Sequence, residues 1–127
     1  MPQLTAALIL LVDDEEEMRA ELRVALEDEG HAVVEANDGQ EALVLLTSGR
    51  IPEPHLIILD LNMPVMTGWE FLSIIEGYHR LSLIPVIAIS GNVRQLNPLR
   101  GRVAACLAKP VTASRLLQEI QATVRGH

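Results

Sequence analysis

Five short apolar segments recur along the 127-residue chain, and polar stretches separate them. They cover residues 6–12, 32–34, 56–59, 85–89 and 103–108. Each has the length of a strand, and its apolar residues follow one another without the alternation of a half-exposed strand. The pattern predicts five β-strands that are buried on both faces.

Amphipathic segments lie between these strands. Apolar residues spaced three or four positions apart predict two helices that end before Gly30 and Gly49, because glycine readily adopts the conformation that follows a helix. A third helix is expected to begin at Thr67, whose hydroxyl can cap it while Glu70 returns the hydrogen bond. The buried positions predicted for this helix are Phe71, Leu72, Ile74 and Ile75.

Two more helices are expected in the second half of the chain. The fourth should occupy residues 93–102, but Pro98 lies within that stretch and cannot donate a backbone hydrogen bond. We therefore expect this helix to be short, displaced or irregular. The last helix begins near Thr112, and its apolar positions are Leu116, Leu117, Ile120 and Val124.

Strands that alternate with helices predict an α/β fold, with a parallel sheet and helices on both faces, because parallel strands require crossover connections. The length fits one domain, so residues 1–127 are expected to form a single domain. In such a doubly wound sheet, ligands bind beyond the carboxyl ends of the strands. The side chains that end the apolar segments are therefore the candidates for function.

Composition narrows the classes of function. A hydrophobic content of 49% and a charged content of 21% exclude a disordered chain. The net charge of -7 is uneven, because residues 1–41 carry twelve acids and two arginines, whereas residues 42–127 carry five acids and eight basic residues. The three aromatic residues, Trp69, Phe71 and Tyr78, lie within ten positions of one another. Stacking on nucleic-acid bases, and hence direct nucleic-acid binding, is not expected.

The sequence predicts neither export nor membrane insertion. The longest unbroken apolar run, residues 6–12, has seven residues. A helix that spans a bilayer needs roughly 20. The first five residues carry no positive charge of the kind that begins a secretion signal, and the single cysteine, Cys106, cannot form an internal disulfide. We expect a cytoplasmic protein.

Polar side chains follow four of the five apolar segments. Asp13 and Asp14 come after the first, Asp60 after the third, Ser90 after the fourth and Lys109 after the fifth. Each residue alone is explained by a helix cap, a turn or a surface lysine. Together they meet at one edge of the predicted sheet, and Lys109 is the only lysine among ten cationic residues.

Carboxylates that crowd together repel one another, and a bound cation relieves the repulsion. Oxygen ligands favour a hard divalent ion, and a site with few carboxylates suits Mg²⁺, which keeps water ligands and bridges to phosphoryl oxygens. Lys109 can pair with Asp60 or with an added phosphoryl group, and Ser90 can donate one hydrogen bond. These residues indicate phosphoryl-transfer chemistry.

The chain resembles the receiver domains of bacterial two-component response regulators over essentially its full length. The residues that carry the resemblance are Asp13-Asp14, the sequence DLNMPVMTG at residues 60–68, Ser90 and Lys109-Pro110. The resemblance implies a flavodoxin-like, doubly wound fold with five parallel strands in the order 2-1-3-4-5.

The resemblance also implies a set of metal ligands. Mg²⁺, or Mn²⁺ in its place, would bind Asp14 directly, Asp13 largely through water, and also Asp60 and the backbone carbonyl of Asn62. In the same family the peptide bond before the residue that matches Pro110 is cis, so a cis bond is expected here.

A function follows from the same resemblance. A sensor histidine kinase or a histidine phosphotransfer domain would supply the phosphoryl group from phosphohistidine. Asp60 would attack it in line while Mg²⁺ and Lys109 neutralise its charge. Ser90 would then move toward the phosphoryl group as a switch, and the changed surface would regulate a downstream protein target. Such a phosphoprotein in a phosphorelay is not a turnover enzyme.

The sequence departs from the family pattern shortly before Lys109. Cys106 stands where most receivers carry tyrosine or phenylalanine, so the ring that would move with the switch hydroxyl is absent. The thiol is either a small buried hydrophobe or a redox sensor. Arg94, Arg100 and Arg102 form a positive cluster that is either a solvated surface or a docking surface for a partner.

Three alternatives to a phosphate-cycling receiver are considered against the sequence. A flavin-binding electron carrier would need free N–H donors after the first strand, where residues 13–17 are acidic and repel phosphate. A phosphatase with an aspartyl nucleophile would need an acid two residues after Asp60, where Asn62 stands. The third is a receiver-like interaction module that no longer cycles phosphate, because its acids are complete but its aromatic switch is not.

Overall fold

The structure, a computed structural model, describes residues 6–63 and 65–125. Two parts of the sequence discussed above lie outside the described residues. One is Pro64 of the motif at residues 60–68, and the other is the first five residues, on which the expectation about secretion rests in part. The strands are β1 (Leu8–Val12), β2 (Ala32–Ala36), β3 (Leu56–Asp60), β4 (Val86–Ser90) and β5 (Ala105–Ala108). The α-helices in these ranges are α1 (Glu16–Asp28), α2 (Gly39–Ser48), α3 (Gly68–Glu76), α4 (His79–Ser82), α5 (Val93–Leu96) and α6 (Ala113–Arg125).

The strands form one parallel sheet in the order β2-β1-β3-β4-β5, which confirms the predicted fold. Every residue of β3 and β4 is buried, and this burial explains their unbroken apolar sequences. The edge strands β2 and β5 are more exposed. Because the strand order reverses between β1 and β3, the carboxyl ends of these two strands border the crevice where such folds bind ligands.

Helices cover both faces of the sheet. On one face, α1 and α6 pack through Leu22, Leu26, Leu116 and Ile120. On the other face lie α2, α3 and α5, and Phe71 of α3 is fully buried there. Among the described residues, no helix is both long enough and apolar enough to cross a membrane.

Local sequence signals set the ends of the helices. Thr67 Oγ1 accepts the N–H of Glu70 at 3.2 Å, and the Glu70 carboxylate accepts the N–H of Thr67 at 3.0 Å, so the predicted capping box is confirmed. Gly30 and Gly49 follow α1 and α2 with φ angles of 92° and 77°. Glycine adopts this left-handed conformation without strain, and both predicted helix ends are confirmed.

Two helical features differ from the sequence prediction. Ile74 is 37% exposed, so the prediction that it is buried was wrong. α3 buries the stripe formed by Phe71, Leu72 and Ile75, and Ile74 falls on the flank because each helical residue is rotated by about 100° from the last. The helix α4 was not predicted, since its four residues are too few to set a helical period.

The connection between β4 and β5 has the irregular form that Pro98 predicts. α5 has four residues, and a 3₁₀ turn that contains Pro98 follows it over Asn97–Leu99. Leu99 is fully buried and anchors this turn. The segment is therefore held by a few tertiary contacts rather than by a long helix.

Gly68, the first residue of α3, allows a close approach to the end of β3. A β carbon at this position would lie 2.6 Å from Leu61 Cα and 2.7 Å from the carbonyl oxygen of Asp60. We expect Gly68→Ala to lower the free energy of unfolding by about 1–3 kcal/mol, because backbone atoms must shift to admit the methyl group. Gly91→Ala is the control, since a β carbon there meets nothing within 4 Å. Urea denaturation measures both changes, and equal losses would contradict this account.

His31 links stability to pH. Its side chain is buried, and its Nδ1 accepts the N–H of Ala7 at 3.1 Å. Burial lowers the pKa of His31 below its ordinary value, although the charge of Glu29 acts in the opposite direction. The unfolded chain therefore binds a proton at a higher pH than the folded chain, and stability decreases as the pH falls.

His31 should contribute a loss of unfolding free energy that begins below about pH 6.5, the ordinary pKa of histidine, and continues through the lower pKa of the folded state. His31→Gln should remove this part of the pH dependence. Urea denaturation of both proteins, at one pH well above and one well below that value, gives the comparison. The same loss in both proteins would show that His31 is not responsible.

Candidate functional site

The carboxyl ends of β1 and β3 bring two buried acids together. Val12 pairs with Leu59 in the sheet, so Asp13 and Asp60, the residues that follow them, become neighbours. Asp13 is 2% exposed and Asp60 is 1% exposed. Carboxylates are seldom buried so deeply, because removal from water disfavours the charged form. The site therefore requires a compensating positive charge.

Lys109, which follows β5, supplies that charge. Its Nζ lies 3.2 Å from Oδ2 of Asp60 and 3.3 Å from Oε1 of Glu15. The other Asp60 oxygen, Oδ1, accepts the N–H of Asn62 at 3.0 Å. The peptide bond between Lys109 and Pro110 is cis, as predicted. The structure thus brings together Asp13, Asp60 and Lys109 from the ends of three strands.

A third acid joins this cluster. The carboxylates of Asp13, Glu15 and Asp60 each offer an oxygen, and these oxygens all lie within 4.8 Å of one another. Asp14, which the sequence predicts as a direct metal ligand, is half-buried and lies outside this group. Glu15 was not predicted as a site residue, because nothing in the sequence distinguishes it from the other acids at residues 13–17. Only the path of the turn that leads into α1 shows that the exposed Glu15 side chain reaches this cluster.

Two groups of this cluster, Asp13 and Lys109, have raised pKa values. Burial raises the pKa of the Asp13 carboxyl to about 6, and the nearby charge of Asp60 adds to this effect, whereas a hydrogen bond from the Glu15 N–H opposes it. Burial also lowers the pKa of Lys109, but the charge and hydrogen bond of Asp60 outweigh it, so the pKa of Lys109 is raised. The ammonium group therefore remains charged beside the acids.

These groups fit a hard divalent cation. Three carboxylates lie close together, two of them contact the ammonium group of Lys109, and the donor atoms that they offer are all oxygens. Mg²⁺ and Mn²⁺ prefer oxygen ligands, and a cation would relieve the repulsion between the buried Asp13 and Asp60. The chemistry of the donor set agrees with the cofactor predicted from the sequence.

Ser90, the last residue of β4, is fully buried. Its Oγ accepts the N–H of Asn92 at 3.0 Å and an amide N–H of the Asn62 side chain at 3.3 Å. Its hydroxyl donates to Oε1 of Gln95 at 2.7 Å. The serine is thus connected through Asn62 to Asp60 and through Gln95 to α5. Gln95 was not predicted as a site residue, because a single polar residue in an irregular helix forms no recognisable sequence pattern.

Cys106 behaves as a packed hydrophobe. It is half-buried against the core, and its Sγ–H donates to the carbonyl oxygen of Leu96 at 3.7 Å. Burial raises the pKa of the thiol above its ordinary value, although the charge of Arg100 acts in the opposite direction. A protonated thiol is a poor nucleophile, so the structure favours the first of the two interpretations of Cys106.

The positive cluster at residues 94–102 is smaller than its sequence suggests. Arg102 donates to both carboxylate oxygens of Glu76, at 3.0 Å and 2.7 Å. Its charge is therefore paired with α3. Arg94 and Arg100 are exposed, so the docking surface predicted as an alternative would rest on two arginines rather than three.

We expect removal of the Asp13 charge to weaken Mg²⁺ binding roughly tenfold or more, because a charge within about 4 Å of a cation in a partly buried site contributes several kcal/mol. Asp13→Asn tests this expectation. Glu17→Gln removes the same charge from an exposed position on α1 and is the matched control. Titration calorimetry measures both affinities, and the same affinity in the two variants would rule out Asp13 as a contributor to the site.

Comparison with known proteins agrees with this geometry. The family model for the response regulator receiver domain matches residues 9–121. The chain is 29% identical over 122 residues to the sensor histidine kinase CheAY of Helicobacter pylori. This alignment covers 93% of this chain and 15% of that protein. It is 33% identical over 119 residues to the response regulator RR06 of Streptococcus pneumoniae. This second alignment covers 94% of this chain and 54% of that protein. The chain thus spans less than two thirds of the length of these two relatives.

A solved structure matches over nearly the whole of both chains. The chemotaxis response regulator CheY4 of Vibrio cholerae superposes with a TM-score of 0.83 and 30% sequence identity, and the match covers 94% of this chain and 99% of that one. The sheet order, the acids at the ends of β1 and β3, and the family match all lead to one conclusion. The chain belongs to the response regulator receiver domain family of two-component signalling.

Proposed function

We propose that residues 1–127 form one receiver domain that takes a phosphoryl group from phosphohistidine onto Asp60. Receiver domains interact with histidine kinases and with downstream targets, so the donor is a sensor histidine kinase or a histidine phosphotransfer domain. The observation that carries the proposal is a buried Asp60 carboxylate 3.2 Å from Lys109, the only lysine of the chain, within a cluster of acids. The proposal places the chain in the cytoplasm.

The transfer step requires an oxygen nucleophile and a neutralising charge. A carboxylate oxygen of Asp60 attacks the phosphorus, a P–O bond forms, and the P–N bond of phosphohistidine breaks. The histidine nitrogen keeps the electron pair of the broken bond and takes up a proton, and Asp60 becomes an acyl phosphate. Lys109 stays charged and stabilises the phosphoryl oxygens. Glu15 also holds the ammonium group, so the arriving phosphoryl group competes with two carboxylates for it.

The acids of the site would hold the divalent ion. Asp13 and Asp60 lie in the cluster that the structure describes. Asp14 and the backbone carbonyl of Asn62 are proposed as further ligands on the basis of the sequence motif. When bound, Mg²⁺ neutralises and orients the oxygens of the transferring group.

The same residues would complete the signalling cycle. Attack of water on the acyl phosphate releases inorganic phosphate and restores the Asp60 carboxylate, so the chain promotes its own phosphorylation and dephosphorylation. While the phosphoryl group is present, its charge would attract the hydroxyl of Ser90. The elements that contact Ser90 would then present a changed surface to a downstream protein target.

The second candidate is a receiver-like interaction module that does not cycle phosphate. Cys106 favours it, because most receivers carry at this position the aromatic ring that moves with the switch serine. The complete cluster of Asp13, Asp60 and Lys109 favours phosphoryl transfer, since binding to a partner does not require buried acids beside a lysine.

Incubation with Mg²⁺ and acetyl phosphate, followed by intact mass measurement, separates the two candidates. The unmodified chain should gain the mass of one phosphoryl group, and Asp60→Asn should gain none. Asp28→Asn makes the same change at an exposed position at the end of α1 and should be phosphorylated like the unmodified chain. Absence of the gain with acetyl phosphate and also with the cognate histidine kinase would favour the interaction module instead.

A further inference from the structure

Two acceptors, Oε1 of Gln95 and the carbonyl oxygen of Asn92, lie within hydrogen-bond distance of the Ser90 hydroxyl, which has one hydrogen to donate. A serine hydroxyl can donate one hydrogen bond and accept two. The N–H groups of Asn92, at 3.0 Å, and of the Asn62 side chain, at 3.3 Å, fill the two acceptor positions. Oε1 of Gln95 lies at 2.7 Å, whereas the carbonyl oxygen of Asn92 lies at 3.2 Å. The shorter distance favours donation to Gln95, and the carbonyl oxygen of Asn92 already accepts the N–H of Gln95 at 3.0 Å.

This hydrogen bond opposes the switching movement of Ser90. The hydroxyl has one hydrogen, so it must leave Gln95 before it can donate to a phosphoryl oxygen on Asp60. Gln95 is half-buried, and its amide oxygen would lose a good donor when Ser90 turns away. A lost hydrogen bond in a partly buried place destabilises the arrangement that lacks it. Gln95 thus favours the unphosphorylated arrangement.

Gln95 also connects Ser90 to a segment that can move. α5 has four residues, and so short a helix depends on tertiary contacts for its position. The next residue, Leu96, is buried, and its carbonyl oxygen accepts the Cys106 Sγ–H. Loss of the bond between Ser90 and Gln95 would free one side of α5 while Leu96 stays anchored.

We propose that Gln95 is a positioning residue that holds the Ser90 hydroxyl away from Asp60 in the unphosphorylated protein and transmits its release to α5. The inference rests on the proposed phosphorylation of Asp60. Gln95 would connect the phosphorylation site to the surface around α5. This connection does not require an aromatic ring at position 106, where the chain carries Cys106.

Gln95→Met tests the inference, because methionine keeps the length of the side chain and lacks an oxygen acceptor. The ligand is beryllofluoride, a mimic of the phosphoryl group, in the presence of Mg²⁺. The variant should bind it roughly three- to tenfold more tightly than the unmodified chain, which is the range that one neutral hydrogen bond contributes. Fluorine NMR titration measures the affinity. Gln118→Met, at an exposed position of α6, is the matched control and should leave the affinity unchanged.

A Ser90→Ala background separates positioning from a general structural effect. Alanine has no hydroxyl for Gln95 to hold, so Gln95→Met should alter beryllofluoride affinity in this background by less than about twofold. An equal gain in both backgrounds would overturn the proposal, because Gln95 would then act without Ser90. An unchanged affinity of the single Gln95→Met variant would overturn it as well.

Amide hydrogen exchange tests the same bond without any ligand. The N–H of Asn92 is bonded to the Ser90 hydroxyl, so it should exchange faster in Gln95→Met, and thermal unfolding should show that the variant is folded. Unchanged exchange at Asn92 would overturn the role of Gln95. If the unmodified chain neither binds beryllofluoride nor gains a phosphoryl group, the proposed function fails, and the exchange result still decides whether Gln95 holds Ser90.

Discussion

The site depends on the balance of charge between Asp60 and Lys109. β3 is buried on both faces, so the carboxylate at its end is buried with it, and an unpaired charge in that place would strongly destabilise the fold. Lys109 and the N–H of Asn62 satisfy the two oxygens of Asp60. The balance is incomplete, however, because the same ammonium group also faces Glu15 and lies close to Asp13. That surplus of negative charge is what a bound cation would neutralise.

Most of the fold could be predicted because its determinants are local. Continuous apolar runs identify buried strands, and a capping box or a glycine identifies a helix end, whatever the rest of the chain does. The sequence determines the first and last residues of a strand less well, as β5 shows. The apolar run at residues 103–108 predicts a longer strand than Ala105–Ala108, because Val103 contributes to the core from outside the sheet. The exposure of Ile74 depends on the width of the stripe that α3 buries, and this width is set by the neighbouring elements.

The site could be predicted as far as strand ends define it. Asp13, Asp60, Ser90 and Lys109 each end or directly follow a strand, so the topology of the sheet alone brings them to one edge. Glu15 and Gln95 lie beyond the strands, in a turn and in an irregular helix. There the path of the backbone decides where a side chain points, and a sequence pattern with a period of two or 3.6 residues contains no information about it.

Cysteine at position 106 changes the kind of coupling available between the site and the surface. Movement of a ring alters packing over a large area, whereas exchange of a hydrogen bond contributes about 1 kcal/mol, or roughly a fivefold change in a population ratio. A complete switch of a two-state surface requires about 5.5 kcal/mol. On the proposed role of Gln95, its bond to Ser90 would therefore bias α5 without fixing it. If Asp60 is phosphorylated as proposed, the remainder of the free energy would have to come from the phosphoryl charge, from a partner that binds the released segment, or from both.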